Sequence, residues 1–196
     1  MALLQVIPEN DGNAVLLRTT DVGLIAEELA RFGISLQQWP TVELPPDVGQ
    51  AEVLAAYGAE VDRLRADEGF RLVDVVRLRP DDSDPEWPAK AKAAREKFLD
   101  EHTHDEDEVR FFVEGRGCFY LHLGDRIYAV VCEAGDLMSV PAGTRHWFDM
   151  GTVPEFCAIR FFEEEDGWIA GFTGDTISSR MPSLDGLLAP SHQVRT

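Results

Sequence analysis

Cysteine is scarce in this chain: Cys118, Cys132 and Cys157 are the only three in 196 residues. An odd, sparse set argues against a disulfide scaffold and for a reducing compartment. No CxxC pair occurs among them, which argues against a structural zinc site. They read instead as small hydrophobes. Basic residues are also few. Lys and Arg number 18 against 36 Asp and Glu, a formal charge of −18. Such a surface repels phosphate backbones and anionic lipid, so no nucleic acid and no membrane are expected as partners. No stretch approaches the roughly 18 apolar residues of a membrane span. The opening MALLQVIPENDG lacks the basic region and long apolar run of a signal peptide. A cytoplasmic location is expected. Internal repeats and low-complexity segments are absent. No long exposed apolar helix or strand is evident, so a monomer is expected.

What is present suits one domain with a real core: 44% of the residues are hydrophobic. The first hundred residues read as mixed α/β. Strands are expected at Leu3–Ile7, Val15–Arg18 and Arg71–Leu78. A helix capped by Thr20 runs to about Arg31, with Ile25, Leu29 and Phe32 on one face. A second spans Gln50 to Ala66, and a third runs from Pro85 to about Leu99 with Asp84 as its cap. From Glu101 the texture changes to short β-rich runs: Val109–Val113, Gly117–Leu123, Arg126–Val131, Asp136–Val140, His146–Met150 and Phe156–Phe162. Turn signals separate them, including Glu114-Gly115, Gly124-Asp125 and Pro141-Ala142-Gly143. The pattern predicts a mainly β fold, an antiparallel barrel or sandwich with several N-terminal helices. Residues 1–100 form the α/β elaboration, 101–172 the core barrel, and 173–196 a tail or short helix covering it.

The chemistry concentrates in Glu101-His102-Thr103-His104-Asp105-Glu106-Asp107-Glu108. On a strand, His102 and His104 face the same side and could share one ion. Glu108 has the same parity and can add a carboxylate, although Glu106 shares that parity and strand geometry alone does not separate them. His146, opening a strand after the Pro-Ala-Gly turn, is the candidate fourth ligand. Histidines with one carboxylate suit redox iron. The spacing is more specific than the composition. From His102 the chain reads H-T-H-x3-E-x6-G, ending at Glu108 and Gly115. Later it reads G-x5-P-x-G-x2-H, with Gly135, Pro141, Gly143 and His146. These resemble the two motifs of the cupin (jelly-roll) superfamily, with two departures outside the ligand set: Glu96 and Met150 stand where glycine and asparagine are expected.

The segment EHTHDEDEVRFFVEGRGCF resembles the signature of the acireductone dioxygenases. The likeness continues through GDLMSVPAGTRHWF, Ala158–Phe162, Gly167–Ala170 and Phe172–Arg180, about residues 70 to 182. The resemblance implies a metal-dependent dioxygenase of methionine salvage. Its substrates would be O2 and a small acireductone, 1,2-dihydroxy-3-keto-5-methylthiopentene. With one iron ion per chain, Fe(2+), the implied products are 2-keto-4-methylthiobutyrate and formate. With nickel, Ni(2+), they are 3-methylthiopropionate, formate and carbon monoxide.

A cation beside the ion would stabilise substrate oxyanions. Arg110, two beyond Glu108, is expected to point inward, and Arg160 sits among apolar neighbours. Each is expensive to bury unless paired, so a structural ion pair is the alternative role. Phe111, Phe148 and Trp168 are candidate walls for the methylthio tail, against an ordinary core role. Trp147 reads as core, His122 as outward or satisfied, His192 as solvated, and Glu163–Asp166 as a solvated turn. The rival functions are another cupin dioxygenase or isomerase, and a non-catalytic cupin that binds a small ligand.

Overall fold

The computed structural model describes residues 1–45, 47–164 and 168–189. Eleven strands dominate it: β1 Leu3–Pro8, β2 Leu17–Thr19, β3 Ser35–Gln38, β4 Leu72–Leu78, β5 His102–Thr103, β6 Glu108–Leu123, β7 Arg126–Glu133, β8 Asp136–Val140, β9 His146–Asp149, β10 Phe156–Phe162 and β11 Gly171–Phe172. The helices are α1 Val22–Ala30, α2 Gln50–Ala56, α3 Gly58–Glu68, α4 Trp87–Glu96 and α5 Leu184–Leu188. Pairing is antiparallel throughout, and the expected mainly β, cupin-type fold is what the chain forms.

The pivot is β6, which belongs to both layers. Its first half pairs with β10 and β8, extending to β4 and β3; its second half pairs with β7 and β9, extending to β1, β2, β5 and β11. The Glu114-Gly115 turn signal marks this corner, not a break: β6 runs unbroken through it and bends. Gly115 has φ +66, and a Cβ there would lie 1.9 Å from the Glu155 carbonyl oxygen. Only glycine fits such a backbone approach. The β10 register shifts nearby, between Cys157 and Ala158, as a β-bulge does.

Between the layers lies a core of Leu4, Val6, Phe112, Phe119, Leu121, Val130, Met138, Phe148 and Ala158. Strand alternation sends the intervening residues outward. On one outer face Tyr120 and Trp147 are buried by Ile177, Met181, Leu184 and Leu187 of the C-terminal segment. Ile177 to Leu187 therefore cover this outer face. On the other face Val109, Phe111, Ile159 and Phe161 pack against Trp39, Val53, Tyr57 and Val61.

Several local expectations shift. Asp21, not Thr20, caps α1, its carboxylate accepting the Leu24 N–H at 3.1 Å. The single helix expected over Gln50–Ala66 is two, broken at Tyr57, whose φ −111 and ψ 20 are not helical. Tyr57 is held there by burial and by its hydroxyl, which accepts the Val42 N–H. Helix α4 starts at Trp87, with Asp84 accepting the Glu86 N–H one turn earlier. Strand β3 was not expected at all. Its sequence, SLQQ, is mostly polar because it lies at the sheet edge against β8.

Candidate metal centre

Three imidazoles converge between the layers. A ring nitrogen from each of His102, His104 and His146 lies within 4.8 Å of the other two, and all three residues are buried. His102 and His146 are direct cross-strand partners on β5 and β9. His104 arrives differently from the strand parity expected. Strand β5 ends at Thr103, and residues 104–107 turn before β6 begins at Glu108. The turn carries Glu108 into the other layer, so the ligands meet across the sandwich instead of along one strand. Glu108 Oε2 then lies 2.9 Å from His146 Nε2 and 3.4 Å from His104 Nε2. Glu106 points elsewhere: its Oε2 accepts the Glu163 N–H at 2.7 Å.

The hydrogen bonds on the far side of each ring define its tautomer. His102 Nδ1 meets the Asp100 carbonyl at 2.7 Å, His104 Nδ1 the Ile169 carbonyl at 3.0 Å, and His146 Nδ1 the Thr144 carbonyl at 2.8 Å. A carbonyl only accepts, so each Nδ1 carries the proton. In the neutral ring each Nε2 then keeps a lone pair. Two of these nitrogens face a carboxylate oxygen, a meeting of acceptors that a cation or a proton between them resolves. A divalent transition metal fits this donor set, and the backbone carbonyls fix ring orientation as ligating histidines require.

The electrostatics agree. Burial, aided by His146, pushes the His102 ring down to about 4, so it stays neutral. Burial is the largest influence on His104 and pulls it down, but the Glu108 contact and the Ile169 carbonyl together raise the ring above its usual value. Burial alone would raise the Glu108 carboxyl; the Arg110 charge and the two histidines hold it well below the usual carboxylate range.

Arg110 points inward, as expected. Its Nη2 donates to Glu108 Oε1 at 2.7 Å, opposite the oxygen that faces the imidazoles. The guanidinium lies 4.2 Å from the Phe148 ring centroid and 5.3 Å from those of Phe119 and Trp168. Its Nε–H is buried with no partner in the protein. Such a donor is costly unless a ligand or water satisfies it. Arg160 stands directly opposite on β10. It pairs with Asp74, Nε to Oδ1 at 2.8 Å and Nη2 to Oδ2 at 2.6 Å.

A cleft of about 690 Å³ adjoins the cluster, lined by residues including Asp74, Phe98, Arg160, Phe162, Trp168 and Phe172. The Trp168 ring lies 6.2 Å from that of His104, and the Phe172 ring 5.7 Å from that of His102. Phe148 and Phe119, their centroids 5.0 Å apart, are buried core rings beside Arg110 and do not line this cleft. Phe111 is a correction. It alternates with Arg110 and so faces the outer helices, its ring 4.8 Å from Trp39 and 4.9 Å from Tyr57. It does not wall the cleft.

Two features were missed from sequence. Asp74 sits in a strand otherwise read as apolar; its shared parity with Val76 and Leu78 was the available signal. Buried Glu101 binds His122 Nδ1 through Oε2, and its Oε1 accepts from Thr173 Oγ1 at 2.9 Å. His122 is thus satisfied on the outer face, with Glu9 3.1 Å from its Nε2. Of the acidic turn, Glu163 and Glu164 are exposed, while Glu165 and Asp166, like His192, lie outside the described residues.

Known proteins resemble this chain. "Acireductone dioxygenase 1" of Nocardia farcinica is 65% identical over 188 residues, spanning 96% of this chain and 100% of that protein. An acireductone dioxygenase of Saccharopolyspora erythraea is 54% identical, spanning 96% and 99%. The solved acireductone dioxygenase from Bacillus anthracis, described with a cadmium ion in its active center, superposes with a TM-score of 0.74 at 29% identity, over 88% of this chain and 98% of that one. Residues 55–170 match the ARD/ARD' family, and with these relatives they show that the chain belongs to it.

Proposed function

We propose that the chain is an acireductone dioxygenase of methionine salvage, acting in the cytoplasm with one Fe(2+) or Ni(2+) per chain. The carrying observation is the cluster of three Nδ1-protonated imidazoles and Glu108 beside a cleft lined by Arg160, with the buried Arg110, bonded to Glu108, holding an unpartnered Nε–H. The relatives' names supply the substrate class. His102, His104, Glu108 and His146 would hold the ion. When bound, the ion supplies Lewis-acid activation of an enediolate and a redox centre for O2 chemistry.

The remaining chemistry belongs to the side chains. Arg110 directs its spare donor capacity toward the substrate oxyanions, in a site where aromatic walls exclude water and strengthen each contact. Arg160 adds a second guanidinium at the cleft. Trp168 presents apolar surface to the methylthio tail. Glu108 is kept ionised, so it accepts no proton during turnover at neutral pH.

Metal reloading tests the reading. Apo-protein given Fe(2+) should consume O2 with a synthetic acireductone and release a keto acid plus formate. Ni(2+) should add carbon monoxide and methylthiopropionate. The chain is constant between the two forms, so any product difference comes through the ion. Ligand binding without O2 uptake in either form would favour a non-catalytic cupin instead.

A further inference from the structure

Across β4, β10 and β6 runs a row of charge set by register: Asp74 pairs with Arg160, and Arg160 pairs with Arg110. Glu108 completes it, bonded to Arg110 on the ligand side. Each arginine is therefore tied by a carboxylate on the side away from the other. Two guanidinium groups on facing register positions repel, and the Arg160 charge opposes that of Arg110. Something must stop Arg160 from swinging out of the cleft. Its side chain is 26% exposed, so solvent is within reach.

The Asp74 contact is suited to that task. It is bidentate, engaging Nε and Nη2, and so fixes the plane of the guanidinium as well as its position. Nη1 takes no part in this clamp. Asp74 and Arg160 both line the cleft. Arg160 is also steadied by rings, 5.2 Å from the Phe162 centroid and 5.8 Å from that of Trp168. We infer that Asp74 is a positioning residue: by holding Arg160 in one plane beside Arg110, it prepares a paired-guanidinium cradle for the two oxygens of an anionic enediolate. The inference rests on the proposed role of Arg160 at the substrate.

Without the clamp, ordering Arg160 falls on substrate binding. Immobilising one such side chain weakens binding by about fivefold. Losing the guanidinium itself, a charge-assisted contact, weakens it by roughly fiftyfold. The test is anaerobic binding of a synthetic acireductone to the metal-loaded enzyme by calorimetry, with KM and kcat from oxygen uptake. Arg160→Ala is expected to show the larger loss and Asp74→Asn the smaller, felt more in KM than in kcat. In the double variant, Asp74→Asn should add less than about twofold, because the residue acts through Arg160. Arg160→Lys keeps the charge but loses both the guanidinium and the two-point clamp, so it should bind at least as weakly as Asp74→Asn and serves alone if that variant does not fold. Asp74→Asn, or failing it Arg160→Lys, binding normally while Arg160→Ala does not would overturn the Asp74 role and leave that of Arg160 intact. So would full additivity in the double variant, or a lowered Tm with unchanged binding. Normal binding by Arg160→Ala would overturn both.

Discussion

Replacing Arg110 by methionine removes a guanidinium from between a metal ligand and the substrate cleft while keeping most of its buried volume. Two effects follow, and the structure separates them. The first acts through Glu108. Arg110 and Glu108 side chains are 5% and 3% exposed, and Nη2 fixes Oε1 at 2.7 Å. Losing that bond frees the carboxylate to rotate away from the imidazoles, which should weaken metal binding by about 10- to 100-fold. The second acts on the reaction. Removing a positioned donor for a developing oxyanion costs about 2–4 kcal/mol in the transition state, roughly 30- to 1000-fold in turnover. Atomic spectrometry of the purified variant reads the first effect. Oxygen uptake at saturating metal reads the second, since excess ion restores occupancy but not the missing charge. A metal-replete Arg110→Met enzyme turning over within about threefold of the parent would refute the role at the substrate. It would leave Arg110 as an anchor for Glu108 alone.

Other consequences are simpler to read. Gly115→Ala should lower stability by more than about 3 kcal/mol in thermal or denaturant unfolding, because its Cβ would meet the Glu155 carbonyl at 1.9 Å with φ at +66. Asp149→Ala should cost about 3 kcal/mol, since this carboxylate takes Arg95 at 2.7 and 3.0 Å and the Gly151 and Leu184 N–H groups at 2.9 Å. Burial would raise the Asp149 carboxyl, but these bonds lower it below 3.8. Its contribution is thus complete above 3.8 and fades as pH falls through the folded-state value, so parent and variant should converge in acid. Metal retention by the parent should decline as pH falls through the His104 value, which the Glu108 and Ile169 contacts together raise above the ordinary imidazole value against burial, favouring a proton in the ion's place; dialysis at graded pH with metal analysis checks this.

The convergence of His102, His104, His146 and Glu108 was legible because their spacing is written in the turns. The glycines and Pro141 that separate the motifs are the residues that bend the strands toward one another. The geometry behind the spacing was not. Parity along one strand gives His102, His104 and Glu108 without separating Glu106, but the turn at 104–107 brings Glu108 from the opposite layer. The sixteen-residue β6 was read as two strands because a glycine ends a strand or bends one, and the local sequence is the same. Phe111 shows a similar limit. An aromatic in an alternating strand has a definite face, and parity with Arg110 places it outward, but a wall around a metal attracts the eye to any ring nearby. Parity with Val76 and Leu78 marked the face of Asp74, but its role was hidden for a different reason. Its significance lies in register with Arg160, 86 residues away, and no local pattern carries a pairing of that range. The break at Tyr57 likewise depends on what buries the ring.

The most direct test of the account is metal stoichiometry coupled to oxygen uptake in the parent and in the His102→Ala, His104→Ala double variant. Both are stripped, titrated with Fe(2+) and assayed with a synthetic acireductone. The parent should gain activity linearly to a break at one equivalent per chain, and the double variant should neither retain the ion nor consume oxygen. Stoichiometric metal with normal turnover in the double variant would contradict the site and the function built on it.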